Sequence, residues 1–226
     1  MPIEPLSDAK VLDSWHKNTE LWTDAVRSGQ IESRRLVTNS AVVDAVMSRS
    51  PQRVLDIGCG EGWLVRALHH RGVDCTGVDA EPRLIAVAAA AGGGKFAVAS
   101  YEEIVAGSFR AQADVVVANF ALIGGETVDQ LIQHMPSLLV PAGVLIVQTL
   151  HPVVASSDAP YEDGWRSGSW SGFSEDFVDP APWYFRTIGS WLKLFETAGL
   201  RLVALQEPLH PVTRRPASII FTVQPR

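Results

Sequence analysis

The sequence predicts an α/β fold, a mostly parallel sheet with helices on both faces, and three observations predict it. Short apolar runs at residues 54–57, 73–78, 96–99, 114–120 and 144–149 alternate with stretches of helical period. Glycines crowd the first strand-to-helix junction, Gly58-Cys59-Gly60-Glu61-Gly62. An acid, Asp79, closes the second strand about 20 residues on, the spacing that ribose-binding α/β folds use.

In chain order, Ser7-Asp8 can cap a helix carrying Val11, Leu12, Trp15, Leu21, Trp22 and Val26, which Gly29 stops. A second helix is expected over residues 32–48, with Leu36, Val37, Val42, Val43, Val46 and Met47 as its apolar stripe and Ser50-Pro51 as its end. Then comes the first strand, Val54-Leu55-Asp56-Ile57, which runs straight into the glycine turn and on to a helix with Trp63, Leu64, Ala67 and Leu68. Glycine is wanted in that turn because a Cβ would stand where a closely approaching ligand lies. A carboxylate at Asp79 can accept two ribose hydroxyls across the sheet edge.

The glycine spacing separates the possible ligands. A nicotinamide dinucleotide asks for G-x-G-x-x-G, but position 63 is Trp and the turn reads G-x-G-x-G. Asp56 and Glu61 would repel a pyrophosphate and suit a cationic ligand. At these residues the chain resembles the class I S-adenosylmethionine-dependent methyltransferases, and the resemblance extends, more weakly, over residues 50–225. It implies a Rossmann-like, seven-stranded, mostly parallel sheet with an antiparallel last strand and an N-terminal helical lid. It further implies S-adenosyl-L-methionine as cofactor, with S-adenosyl-L-homocysteine as product. Asp56, Gly58, Cys59 and Gly60 would cradle the methionine part, and Asp79 with Ala80 the ribose. Family members often carry an aspartate near Ser100 for the adenine, and this chain departs there, so Ser100, Tyr101 or backbone must serve. Cys59 is also read as a small buried filler.

The later elements follow the same alternation. Glu81-Pro82 starts a helix that ends at Gly92-Gly93-Gly94, and Ser100 opens the next in a capping arrangement with Glu103. The fourth strand, rich in valine, ends in Asn119-Phe120, which should face the crevice beyond the strand ends. Asn119 can hold the methionine amino group or the acceptor, or satisfy the strand-end backbone. His151 lies just past the fifth strand and His210 after a later one, each in a His-Pro pair. Histidine titrates near neutrality, so His151 is the first choice for a base and His210 the second, with a strand-end hydrogen-bonding role as the alternative for both.

Residues 153–183 read as an ordered aromatic insertion without helical or alternating period. It is expected to cover the site, excluding water and packing a planar acceptor. Its substrate residues would be Trp165 and Trp170, joined by Trp22 from the first helix and by Arg186 just beyond, a guanidinium for an acidic or phenolic acceptor or else a surface cation; Tyr184 beside it offers a phenol as a further catalytic candidate. Trp15, Asn18, Trp22 and Arg27 reach the site if the N-terminal helices form a lid; otherwise the two tryptophans pack against the sheet. Residues 1–50 are thus expected as a helical cap of the same unit as a catalytic domain over 51–226. Two last strands, near 200–206 and 218–223, close the sheet.

Composition bounds the rest. With 226 residues there is one sizeable core, and 46% hydrophobic with 19% charged residues describes an ordinary globular chain. A net charge of -6 disfavours nucleic acid as partner, and a small-molecule acceptor is expected instead. The start lacks a secretory pattern and no apolar stretch reaches membrane-spanning length, so a cytoplasmic location is expected. Cys59 and Cys75 have neither metal-ligand nor disulfide-framework spacing, so no metal is expected. A homodimer is compatible with the aromatic insertion as an interface. The alternative to an enzyme is a non-catalytic cofactor-binding or protein-interaction module on the same scaffold.

Overall fold

The computed structural model describes residues 3–156 and 159–226. Met1 and Pro2, from the start read as non-secretory, and residues 157–158 of the insertion lie outside the described residues. Helix α1 (Asp8–Arg27) begins where Ser7 caps it, the Ser7 hydroxyl accepting from the Lys10 amide. A π-helical turn (Arg34–Thr38) leads into α2 (Asn39–Met47). There follow β1 (Arg53–Ile57), α3 (Trp63–His69), β2 (Asp74–Asp79), α4 (Pro82–Ala91), β3 (Lys95–Val98), α5 (Tyr101–Val105) and β4 (Ala113–Asn119). The second half comprises α6 (Glu126–His134), β5 (Leu139–Thr149), α7 (Pro152–Ser156), β6 (Gly164–Arg166), β7 (Trp183–Phe185), α8 (Ile188–Thr197), β8 (Leu200–Gln206) and β9 (Ile219–Pro225).

Seven strands form one sheet in the order β3-β2-β1-β4-β5-β9-β8, parallel as far as β5. Strand β9 runs antiparallel to both neighbours. The chain order reverses between β1 and β4, so the helices after them leave on opposite faces and a crevice opens at the strand ends. Alternate residues feed two cores. Val54, Val115, Val117 and Ile146 meet Val42, Val46, Leu64 and Leu68 on one face; Leu55, Ile57, Val116 and Leu145 meet Ile104, Leu131, Ile132 and Phe195 on the other. Each such side chain contributes about 1.5–3 kcal/mol by leaving water.

Three details differ from the sequence reading. The helix expected over 32–48 opens with the π turn, in which the Thr38 carbonyl accepts a hydrogen bond from Gln148 Nε2 at 3.0 Å. A buried glutamine amide needs such a partner, and no apolar periodicity records that need. Strand β5 starts at Leu139 rather than near 144, because Leu139 pairs with Ala113 before the register shifts to Val144 and Val115. The aromatic insertion is not all loop: it contains α7 and a two-stranded ribbon in which Trp165 faces Tyr184.

Helix α1 is tied across the molecule. Asp8 Oδ1 accepts from the Gly125 amide at 2.7 Å and Oδ2 from the Thr127 amide at 3.2 Å, so α1 supplies the N-terminal cap that α6 lacks in its own sequence. Asp8→Ala should therefore lower stability by about 0.5–2 kcal/mol. An unchanged midpoint in urea titration would show the cap to be dispensable.

Candidate functional site

A cavity of about 870 Å³ opens at the carboxyl ends of β1, β2, β4 and β5. Its floor is the glycine turn. Gly58, Gly60 and Gly62 have φ of 73°, 56° and 83°, left-handed values that glycine adopts at little cost. A Cβ on Gly58 would lie 2.3 Å from Ala121 Cβ, whereas one on Gly60 would meet nothing and stand in the cavity itself. The Gly58 and Cys59 amides donate to the Val78 carbonyl, which locks the turn against the end of β2. Cys59 lines the floor but is buried, with its sulfur packed where Gly77 leaves room, and burial holds its thiol well above the usual range. Cys59 is thus a buried filler that also lies in the cavity floor.

Asp79 accepts from the Gly60 and Glu81 amides, each at 2.9 Å. Burial pushes its carboxyl up, and those amide bonds oppose the shift. Glu81, read from the sequence only as a helix start, lines the same wall and accepts from Arg83 Nε at 3.1 Å and from His16 Nδ1 at 2.8 Å. Burial raises the Glu81 carboxyl, but His16 and Arg83 outweigh it and hold it below the usual range. Asp56 is pushed up to about 8 by burial and by Asp79, partly opposed by Arg34.

Three buried oxygens on this wall have no donor: Asp56 Oδ1, Glu61 Oε1 and Asn119 Oδ1. A site lined with unpaired acceptors selects a ligand rich in N–H donors or positive charge. Arg27 and Arg66 pair with the other oxygen of Glu61, and Arg34 supplies a guanidinium in the lining itself, over the Trp22 and Trp63 rings at 5.7 and 5.2 Å. Burial lowers it to about 10, opposed by Glu61 and Asp56. An ammonium for the free oxygens, a carboxylate for Arg34 and a ribose for Asp79 and Glu81 are the parts of S-adenosyl-L-methionine, and the residues fit it.

The other cofactor residues divide. Ala80 and Phe120 line the cavity, and Phe120 holds φ at 53°, a strained value for a bulky residue, its amide donating to the Gln148 carbonyl at 2.8 Å. Tyr101 also lines it, its hydroxyl bound to the Ala121 carbonyl at 3.1 Å and its acidity suppressed by burial. Ser100 lies on the rim, but its hydroxyl caps α5 by accepting from the Glu103 amide.

The roof is aromatic. Trp15 and Trp22 of α1 meet edge to face at 4.9 Å, Trp170 reaches Trp15 at 5.8 Å, and Phe173 reaches Trp22 at 6.1 Å. All four line the cavity, so the two helix tryptophans face the site rather than packing on the sheet. Asn18 Nδ2 and Oδ1 bind the Val178 carbonyl and amide at 2.7 and 3.0 Å, Ser14 binds the Asp179 carbonyl, and Lys10 and Lys17 pair with Asp179. Arg27 closes the far end of α1 onto Glu61 at 2.9 Å.

Several expected residues lie elsewhere. Trp165 is not a wall residue; it braces Tyr184 edge to face at 5.6 Å, and Tyr184 is in the wall. Arg186 lines the cavity, but its guanidinium is spent on the Gly124 and Gly125 carbonyls and on Asp129. His210 sits in the hairpin between β8 and β9, accepting from the Val212 and Thr213 amides, away from the wall. His151 is buried between Leu150 and Pro152, both wall residues, yet its own ring turns to Glu207, with Nε2 2.7 Å from the carboxylate. The sequence reading missed Arg34, Glu81, His16 and Trp63. Only Trp63, next to the glycine turn, carried a local signal.

Comparison with known proteins places the chain in a family. The methyltransferase domain family matches residues 32–205. A malonyl-[acyl-carrier protein] O-methyltransferase of Enterobacter lignolyticus is 32% identical over 129 residues, 55% of this chain and 49% of the relative. A ubiquinone biosynthesis O-methyltransferase of Xylella fastidiosa is 30% identical over 133 residues, 52% of this chain and 51% of the relative. The chain thus spans about half the length of the curated relatives it matches. Among solved structures, the 1,6-didemethyltoxoflavin-N1-methyltransferase of Burkholderia thailandensis, bound to 1,6-didemethyltoxoflavin and S-adenosylhomocysteine, has a TM-score of 0.64 at 19% identity, covering 95% of this chain and 84% of that one. An S-adenosylmethionine-dependent methyltransferase from Mesorhizobium loti has a TM-score of 0.61 at 20% identity, covering 80% and 97%. These structural likenesses are likenesses of fold. No helix among the described residues is long and apolar enough to cross a membrane.

Proposed function

This chain belongs to the methyltransferase domain family, and from that premise we propose that it methylates a small, planar, aromatic or phenolic acceptor with S-adenosyl-L-methionine. The observation that carries the reading is the pairing, in one cavity, of unpaired acidic oxygens around a glycine floor with a roof of four aromatic rings. When bound, the cofactor supplies a methyl group already activated on a sulfonium. The task left to the protein is placement and exclusion of water. Asp79 and Glu81 hold the ribose, Arg34 the carboxylate, and Asn119 with Asp56 the ammonium. Trp15, Trp22, Trp170 and Phe173 close over the acceptor from above, and Trp183, Tyr184 and Phe185 bound it from the side.

Edge and face contacts with two aromatic walls favour a flat ring over a flexible chain. The two curated relatives are named as O-methyltransferases, which supports oxygen as the methylated atom. The test is transfer of isotopically labelled methyl from S-adenosyl-L-methionine to a panel of phenols, hydroxylated heteroaromatics and aliphatic alcohols. Label is expected on aromatic members, and Trp170→Ala should raise KM for them about tenfold or more, from the lost ring contacts. Cofactor binding without transfer to any member would favour a non-catalytic binding module.

A further inference from the structure

Of the three tyrosines in the chain, two have committed hydroxyls. Tyr101 donates to the Ala121 carbonyl at 3.1 Å, and Tyr161 accepts from the Ile188 amide at 3.0 Å. Tyr184 is different. It stands half-buried in the cavity wall, and its hydroxyl has no hydrogen-bond partner among the described residues.

The ring that carries this hydroxyl is held from several sides. The Tyr184 amide donates to the Ile123 carbonyl at 2.8 Å. Across the ribbon, Trp165 packs against the ring edge to face, with centroids 5.6 Å apart and an interplanar angle of 87°. Two residues on, and so on the same side of the extended chain, Arg186 lays its guanidinium over the ring at 4.7 Å. Arg186 is itself buried, and it is fixed by the Gly124 carbonyl at 2.8 Å, the Gly125 carbonyl at 2.7 Å and Asp129 at 2.6 Å. A Cβ on Gly125 would stand 3.2 Å from Trp165 and 3.4 Å from Tyr184, so the missing side chain makes room for the pair. A ring fixed in this way offers its hydroxyl at one place, and a hydrogen bond to it costs a complex little side-chain freedom.

We propose that Tyr184 determines specificity on the acceptor side: its hydroxyl bonds a polar substituent of the acceptor ring other than the group that is methylated. Arg186, Trp165 and Gly125 are positioning residues that hold it there. This rests on the methyltransferase reading above and narrows its substrate class to aromatic rings bearing a second hydroxyl or a carbonyl. A phenol both donates and accepts, so either substituent suits it. The reacting group is not its partner, because a hydrogen bond donated to that oxygen would hold back the lone pair that must reach the methyl carbon. Arg186 acts through Tyr184 and binds no anion, since both of its terminal nitrogens are already engaged.

Calorimetry on the full chain loaded with S-adenosyl-L-homocysteine reads acceptor binding without turnover. The probes are pairs of phenols matched in shape, the polar member bearing a second hydroxyl or a formyl group and its partner a methyl or vinyl group in that place. Wild-type protein should bind the polar member of at least one pair about tenfold more tightly. Tyr184→Phe, which keeps the ring and its packing, should erase that preference by weakening the polar member alone. Trp165→Leu, outside the wall, should reduce the preference and leave S-adenosyl-L-homocysteine affinity unchanged. In turnover, Tyr184→Phe should raise KM for the polar member about tenfold with kcat unchanged. Equal binding within every pair, a preference that survives Tyr184→Phe, or the full preference in Trp165→Leu each overturns the proposal. A fall in kcat shared by both members of each pair would make Tyr184 a base and overturns it as well. Protein that binds S-adenosyl-L-homocysteine but no phenol overturns the proposal together with the aromatic acceptor, whereas protein that does not bind S-adenosyl-L-homocysteine overturns the methyltransferase reading itself.

Discussion

Asp79→Ala should abolish S-adenosyl-L-methionine binding in titration calorimetry at concentrations where the wild type saturates, with NADH silent toward both. The carboxylate does two things that alanine cannot. It faces the cavity where the proposed ribose contact lies, and it anchors the Gly60 and Glu81 amides, so its loss leaves two donors without partners and slackens the floor. Charge-assisted hydrogen bonds are worth about 1.5–3 kcal/mol each, so losing two or more weakens binding by 100-fold at least. Circular dichroism should report a folded chain, since the hydrophobic layers on both sheet faces are untouched. Binding that ignores this substitution would place the cofactor elsewhere.

Asp56→Asn should have opposite effects on stability and on ligand binding. The Asp56 carboxyl titrates at about 8 in the folded protein and at about 3.9 in an unfolded chain. Because the folded value is the higher one, the fold prefers the protonated acid. The associated stability is complete below about pH 4 and is lost as pH rises through about 8. Wild-type Tm should therefore fall across that window, while the asparagine variant, isosteric and neutral, should be flatter and several degrees more stable at pH 8. Some slope remains, since burial also raises Asp79. The same variant should bind the cationic cofactor more weakly above pH 8, where most of the wild-type carboxylate is ionised. Parallel Tm curves for the two proteins would show that Asp56 does not carry the linkage.

What could be read in advance was local. The glycine turn, Asp56, Asp79 and the valine-rich β4 each announce themselves within a few residues, because backbone conformation and burial on both faces restrict residue type at those positions. Arg34 could not be read this way. It reaches the site because a π turn rotates it over Trp22 and Trp63, and that turn is coupled to a glutamine more than 100 residues away. Arg186 and His151 show the converse. Their residue types suit chemistry, but distant partners, the carbonyls of Gly124 and Gly125 in one case and Glu207 in the other, decide which way they point. In the aromatic insertion the count of rings was visible, but the division between the roof, with Trp170 and Phe173, and the brace at Trp165 depends on a ribbon register that no short pattern encodes.

Helix α1 behaves mechanically as a beam with both ends pinned. Its 20 residues span about 30 Å, with Asp8 fastened to the start of α6 and Arg27 to Glu61 under the glycine floor. Lifting such a beam means breaking an anchor. The roof is bolted to the same beam, through Asn18 to Val178, through Ser14, Lys10 and Lys17 to Asp179, and through the Trp15–Trp170 and Trp22–Phe173 ring contacts, so whatever displaces α1 also unroofs the cavity.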